Sequence, residues 1–167
     1  MDSSFYNTTL GKLNLEEVIS SIKIFLEENP EAQYSVVIGT DSQEKTIEKN
    51  GKKLINLITA IVVYRKGFGG RYFWKKKVES NIYSLRQKIY AETLTSLNFA
   101  TGFVPLLKKS LNGKSPNYNL EIHVDVGEHG DTREMIREVV GMVTGNGFVA
   151  KTKPEAYGAS YIADKHT

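Results

Sequence analysis

The stretch Tyr34-Ser35-Val36-Val37-Ile38-Gly39-Thr40-Asp41 decides how the rest of the chain is read. It is short, β-branched and apolar at positions of both parities. That is the pattern of a strand buried on both faces, in the middle of a sheet. Upstream, Asn14-Leu15-Glu16-Glu17 reads as a capping box, and Leu15, Val18, Ile19, Ile22, Phe25 and Leu26 follow at helical spacing until Asn29-Pro30 stops the run. The polar residues 1–14 read as an arm. Downstream, Asn50-Gly51 is a turn signal, 54–64 a second and more apolar strand, 67–70 a glycine-rich turn and 71–78 a third strand. Three strands joined by tight turns make an antiparallel meander.

The period then changes. Ile82, Leu85, Ile89, Leu97, Ala100, Val104, Leu107 and Leu111 recur every three or four residues, predicting a long helix that Gly102 and Pro105 would kink or split. Residues 118–126 read as a fourth strand. A second capping box, Asp131-Thr132-Arg133-Glu134, predicts a helix ending near 145–147, followed by a fifth strand over 148–153 and a last helix beginning at Pro154. A meander followed by βαβ units gives an α/β fold with a mixed five-stranded sheet, flanked by helices and preceded by an extra one. The fourth and fifth strands run parallel to the first.

Composition limits the chemistry. The 167 residues predict a single domain spanning 1–167, large enough to bury a core unaided. There is no Cys, which excludes disulfides, thiolate metal sites and a cysteine nucleophile. Lys+Arg 22 against Asp+Glu 19 leaves a formal charge of +3, so the placement of charge matters more than its sum. No apolar run approaches the roughly 20 residues of a membrane span, and a cytoplasmic protein without a membrane partner is expected. Neither a phosphate-binding loop nor a dinucleotide fingerprint nor a nucleophile elbow is present.

The strand pattern places acids at one edge. If strands one and four are neighbours, Asp41 and Asp125 end side by side at the carboxyl edge of the sheet, where open α/β sheets bind ligands. Two carboxylates so placed repel one another unless a proton or cation intervenes, and oxygen ligands without thiolates suit Mg²⁺ or Mn²⁺. Two more acids are candidates. Glu92 interrupts an apolar or small turn of the long helix, where an exposed position or a partner is needed to hold its charge. Asp164 follows Ala159, Ile162 and Ala163 in the last helix. Glu79 competes with Glu92 for the third place, and His129 or His166 could shuttle a proton near the site.

The motifs Ile38-Gly39-Thr40-Asp41-Ser42-Gln43, Val124-Asp125-Val126-Gly127 and Ala163-Asp164-Lys165-His166-Thr167 together resemble the bacterial YkuK-like family of ribonuclease-H-like proteins. The resemblance covers nearly the whole chain. It implies a four-acid site of Asp41, Glu92, Asp125 and Asp164 holding two Mg²⁺ or Mn²⁺ ions, with Asp41 shared between them; Lys165, like His129 and His166, is a possible auxiliary beside it. It departs from the superfamily in that Ser42-Gln43 follow the first Asp, where a glycine is common.

On the substrate side, Arg71, Lys75, Lys77 and Arg86 alternate with aromatic residues that include Trp74. Basic side chains neutralise phosphates and aromatic faces stack on unpaired bases, so this region is the expected contact for RNA, an RNA–DNA hybrid or structured DNA. Alternation within 71–78 equally allows half of its side chains to pack in the core. The expected function is a metal-dependent nuclease; the alternative is a non-catalytic module of the same fold that binds RNA or a protein partner.

Overall fold

In a computed structural model of the chain, described over residues 4–44, 53–112 and 117–156, the strands form one seven-stranded mixed sheet. The meander is β3 (Tyr34–Glu44), β4 (Leu54–Arg65) and β5 (Gly69–Ser80), paired antiparallel along almost their whole lengths. The β4–β5 turn depends on glycine. Gly67 and Gly69 both take φ of 85°, and a Cβ on Gly70 would stand 2.5 Å from the Val63 carbonyl oxygen. Strand β6 (Tyr118–His123) lies parallel to β3, and β7 (Val149–Lys151) lies parallel to β6. Strand β3 is therefore flanked on both sides, as its two-faced apolar pattern requires.

The expected five strands are present, but the sheet has seven. The two additional strands come from the supposed arm: β1 (Phe5–Asn7) and β2 (Gly11–Leu13) form a hairpin that joins the sheet beside β5. Three local features hold it. Asn7 Oδ1 accepts from the backbone N–H groups of Thr9 and Leu10, Gly11 takes φ of 75°, and Phe5 and Leu13 reach the core.

Helix α1 (Leu15–Glu28) carries the expected capping box, with Asn14 and Glu17 each bonded to the other's backbone N–H. It buries Val18, Ile19, Ile22, Phe25 and Leu26, each such side chain contributing about 1.5–3 kcal/mol of transfer free energy. Helix α2 (Leu85–Ser110), capped by Ser84, begins three residues later than the periodicity suggests and runs through Pro105 as one helix. Buried Ala100, Phe103, Val104 and Leu107 anchor it on both sides of the proline. The second expected capping box is not formed: residues Arg133–Met135 make a single 3-10 turn with no side-chain cap, and helix α3 (Ile136–Gly145) starts after it. Strands β6 and β7 are both shorter than the sequence suggests, β6 ending at His123. Residues 153–155 form a turn, and the remainder of the expected last helix lies outside the described residues.

All three helices contribute to one apolar core against one face of the sheet, built on Val36, Ile38, Ile61, Val63, Phe73 and Ile122. None of the described helices is long and apolar enough to cross a membrane.

Candidate active site

The site lies where β3 ends beside β6 and α2 passes over them. Along β3, Thr40 and Ser42 point toward α2. The Thr40 hydroxyl bonds to Thr59 at 3.0 Å and to Ser96 at 2.8 Å, and Ser42 Oγ donates to Glu92 Oε2 at 3.2 Å. Ser96 and Glu92 are one helical turn apart, so α2 lays a buried polar seam along β3. All of these groups are nearly inaccessible, Glu92 being 5% exposed.

Asp41 belongs to the opposite pleat of β3, at its carboxyl end. The last β3–β6 pair is Gly39 with His123, so Asp41 and Asp125 each stand two residues beyond it. They are linked electrically through Glu92. Burial pushes the Glu92 carboxyl up from the usual 4.5 to about 8, and the charges of Asp41 and Asp125 add to the push; the Ser42 hydroxyl and Lys88 oppose it. Glu92 is consequently a neutral acid at pH 7, donor or acceptor as its neighbours require.

A cation that sequence reasoning missed sits among these acids. Lys153 Nζ lies 2.7 Å from Asp125 Oδ1. That hydrogen bond, helped by the charges of Asp125, Asp41 and Glu92, holds the ammonium above its ordinary pKa against a smaller opposing effect of burial. Nothing local in the sequence marks Lys153. It arrives because the chain after β7 turns back on the end of β6, where Lys153 N–H donates to the Val126 carbonyl at 2.8 Å.

The three acids are close enough to repel, but they are not a ready-made ion site. Among the described residues, no three His, Cys, Asp or Glu side chains are gathered tightly enough to hold a metal. The donors are nevertheless of the right kind: carboxyl oxygens, buried on Glu92 and partly exposed on Asp41 and Asp125, whose mutual repulsion a hard divalent cation would relieve.

The other candidates are dispersed. Glu79 is bonded to Lys77 at 2.7 Å and is not among the groups that shift Glu92. His129 is exposed in the loop after β6. His123, two residues before Asp125, is buried; burial lowers its pKa, and it bonds Glu121 at 3.1 Å. Asp164, Lys165 and His166 lie outside the described residues.

The basic and aromatic candidates do not share one surface, because period-2 alternation sends neighbours to opposite faces. Trp74 projects from the pleat facing away from the helices, beside Tyr6 and Tyr72 at ring distances of 6.1 and 5.7 Å. Lys75 lies on the helix side, against Phe5 and Phe99. Arg71 stacks 4.7 Å from the Phe25 ring, and Arg86 pairs with Glu138 on α3 at 3.0 Å. Phe73 is core.

A seven-stranded mixed sheet with its parallel strands added after a meander accords with the ribonuclease H-like fold. Residues 17–167 match the family model described as Ribonuclease H-like, and the chain belongs to that family. Within it the chain falls in the YkuK-like group: it is 31% identical over 171 residues to the uncharacterized protein YkuK of Bacillus subtilis (strain 168), covering 98% of this chain and 96% of that protein. No solved structure matches.

Proposed function

We propose that this protein is a metal-dependent phosphodiesterase acting on nucleic acid, with Mg²⁺ or Mn²⁺ held by Asp41, Glu92 and Asp125 and, as the family resemblance implies, Asp164. The observation that carries the reading is the buried Glu92 carboxyl, kept protonated near pH 7 by burial and by acids from two distant segments. Strongly shifted carboxyls that face other acids are the mark of a site built to bind or move charge. Membership of a ribonuclease H-like family supports nucleic acid as the substrate class.

Each side chain has a task in this reading. Ser42 holds the Glu92 carboxyl in one orientation through its hydroxyl. Asp41, on the central strand, would be the acid shared between the ions, as the family resemblance implies. Lys153 balances the charge of Asp125 and, were Asp125 engaged by a cation, would be free to pair with a phosphate oxygen. Two bound ions would supply Lewis-acid stabilisation of the charge that develops on the phosphate.

The ion pair between Lys153 and Asp125 also favours a second reading, in which a fixed ammonium takes a cation's place and the fold binds RNA or a protein partner without cleaving. Hydrolysis of an RNA–DNA hybrid, single-stranded RNA and branched DNA in Mn²⁺ separates the two. Wild type is expected to cleave at least one of them. Asp41→Asn should lose more than the about 10–100-fold typical of removing a metal's outer-shell partner. Equal cleavage by both proteins, or binding without cleavage by wild type, overturns the nuclease reading.

A further inference from the structure

A second concave site lies away from the acids, between α2 and β5, and it encloses about 850 Å³. That volume is in the range of small-molecule sites. Phe5, Phe99, Phe103 and Leu106 make its apolar lining, and Thr59, Thr95 and Asn98 are among its polar residues. Lys75 enters it from β5 with its Nζ 5.2 Å from the Phe5 ring centre and 4.9 Å from that of Phe99. Those two ring faces are weak compensation for a half-buried ammonium. No carboxylate among the described residues lies within ion-pair distance of it, and burial, with help from Lys77, depresses its pKa. Lys77 at the same cleft is already paired with Glu79.

The cleft thus combines an apolar lining with one half-buried ammonium, Lys75, that meets no carboxylate among the described residues, while Lys76 at the same cleft is exposed to solvent. We propose that it binds a small soluble amphipathic carboxylate, with the anionic group on Lys75 and the alkyl or aryl body against Phe5, Phe99, Phe103 and Leu106. A monoanion matches the one ammonium that is half-buried, whereas a dianion would carry a second charge into the apolar part of the cleft. A nucleotide base suits the lining poorly. Its edge would need several hydrogen-bonding groups, and with the Thr59 and Thr95 hydroxyls engaged by Thr40 and the Ala91 carbonyl, it would rely mainly on the Asn98 amide. The inference is independent of the nuclease reading, since none of Asp41, Glu92 and Asp125 lines the cleft.

Decanoate, decanol and decylammonium provide the probes, each titrated calorimetrically at pH 7 with the intact protein. Decanoate should bind at least about tenfold more tightly than decanol, with decylammonium the weakest. Lys75→Met should bind decanol as well as wild type does, and should lose the preference for decanoate. Gly102→Leu adds bulk at the cleft wall, at a helical position where a Cβ meets nothing within 4 Å, and should weaken all three probes while leaving the melting temperature at or above wild type. No decanoate binding by wild type overturns the proposal, and so does a carboxylate preference that survives in Lys75→Met. Undiminished binding in Gly102→Leu also overturns it, because the occupied site would then lie elsewhere.

Discussion

A carboxyl group that is 5% exposed and feels the charges of two other acids is easier to keep protonated than to charge, and this gives Glu92 a measurable signature. Its pKa is about 8 in the folded chain and near the usual 4.5 in the unfolded one. Between those values the folded state binds more protons than the unfolded state. The stabilisation from this group is therefore complete below about pH 4.5 and is lost as the pH rises toward 8, at up to about 1.4 kcal/mol per pH unit. Glu92→Gln, which retains a hydrogen-bonding partner for Ser42, is expected to flatten that slope. Urea midpoints of both proteins from pH 5 to 8 measure it, and parallel profiles would show Glu92 to be ionised throughout. This residue was partly legible beforehand: a lone Glu between Ala91 and Thr93-Leu94 already poses the question of how its charge is held. Lys153 was not, because its partner Asp125 is 28 positions away and only the turn after β7 brings them together.

At the level of elements, the N-terminal hairpin shows how three residues convert an arm into sheet. Asn7 does most of this, accepting from Thr9 and Leu10 N–H and donating to the Tyr72 carbonyl on β5 at 2.9 Å. Asn7→Ala leaves those backbone groups without a partner and should cost about 1–3 kcal/mol in a denaturation experiment. It should also increase hydrogen exchange in residues 5–13 before the rest of the sheet, and unchanged exchange there would assign the hairpin's stability to Phe5 and Leu13 alone. The turn formers Asn7-Thr8-Thr9 and the Phe5/Leu13 pair are visible in the sequence, but strands of three residues are too short to show alternation. The reverse occurred at Asp131-Thr132-Arg133-Glu134, where the letters of a capping box are present and no cap forms. Thr132 Oγ1 instead accepts from Gly127 N–H at 3.2 Å, tying down the loop after Asp125.

For the whole molecule, the proposed metal site of Asp41, Glu92 and Asp125 would link metal binding to folding. Mn²⁺ binding only the folded state should stabilise it by about 2.7 kcal/mol at a hundredfold excess over its dissociation constant. In metal-free buffer, Asp41→Asn should melt slightly above wild type, because it removes one charge from a group of mutually repelling acids. Both are read from thermal melts with and without Mn²⁺. A wild type indifferent to the ion, together with a destabilised Asp41→Asn, would remove the physical basis of the metal site.

The amino-acid order alone determined the central strand, the meander and the alternation of strand and helix that follows it, because burial on two faces, one face or one stripe leaves distinct periodicities in the letters. It also determined that no thiol can serve as a metal ligand or nucleophile, since the chain has no Cys. Tertiary structure alone decided how the candidate carboxylates are charged. Desolvation under α2, the reach of Ser42 to Glu92 and the return of Lys153 to Asp125 depend on distances between segments far apart in the chain. The same is true of the Lys75 cleft, where alternation along β5 selected the face but only packing of α2 against β1 and β5 brought two phenylalanine rings around a lysine.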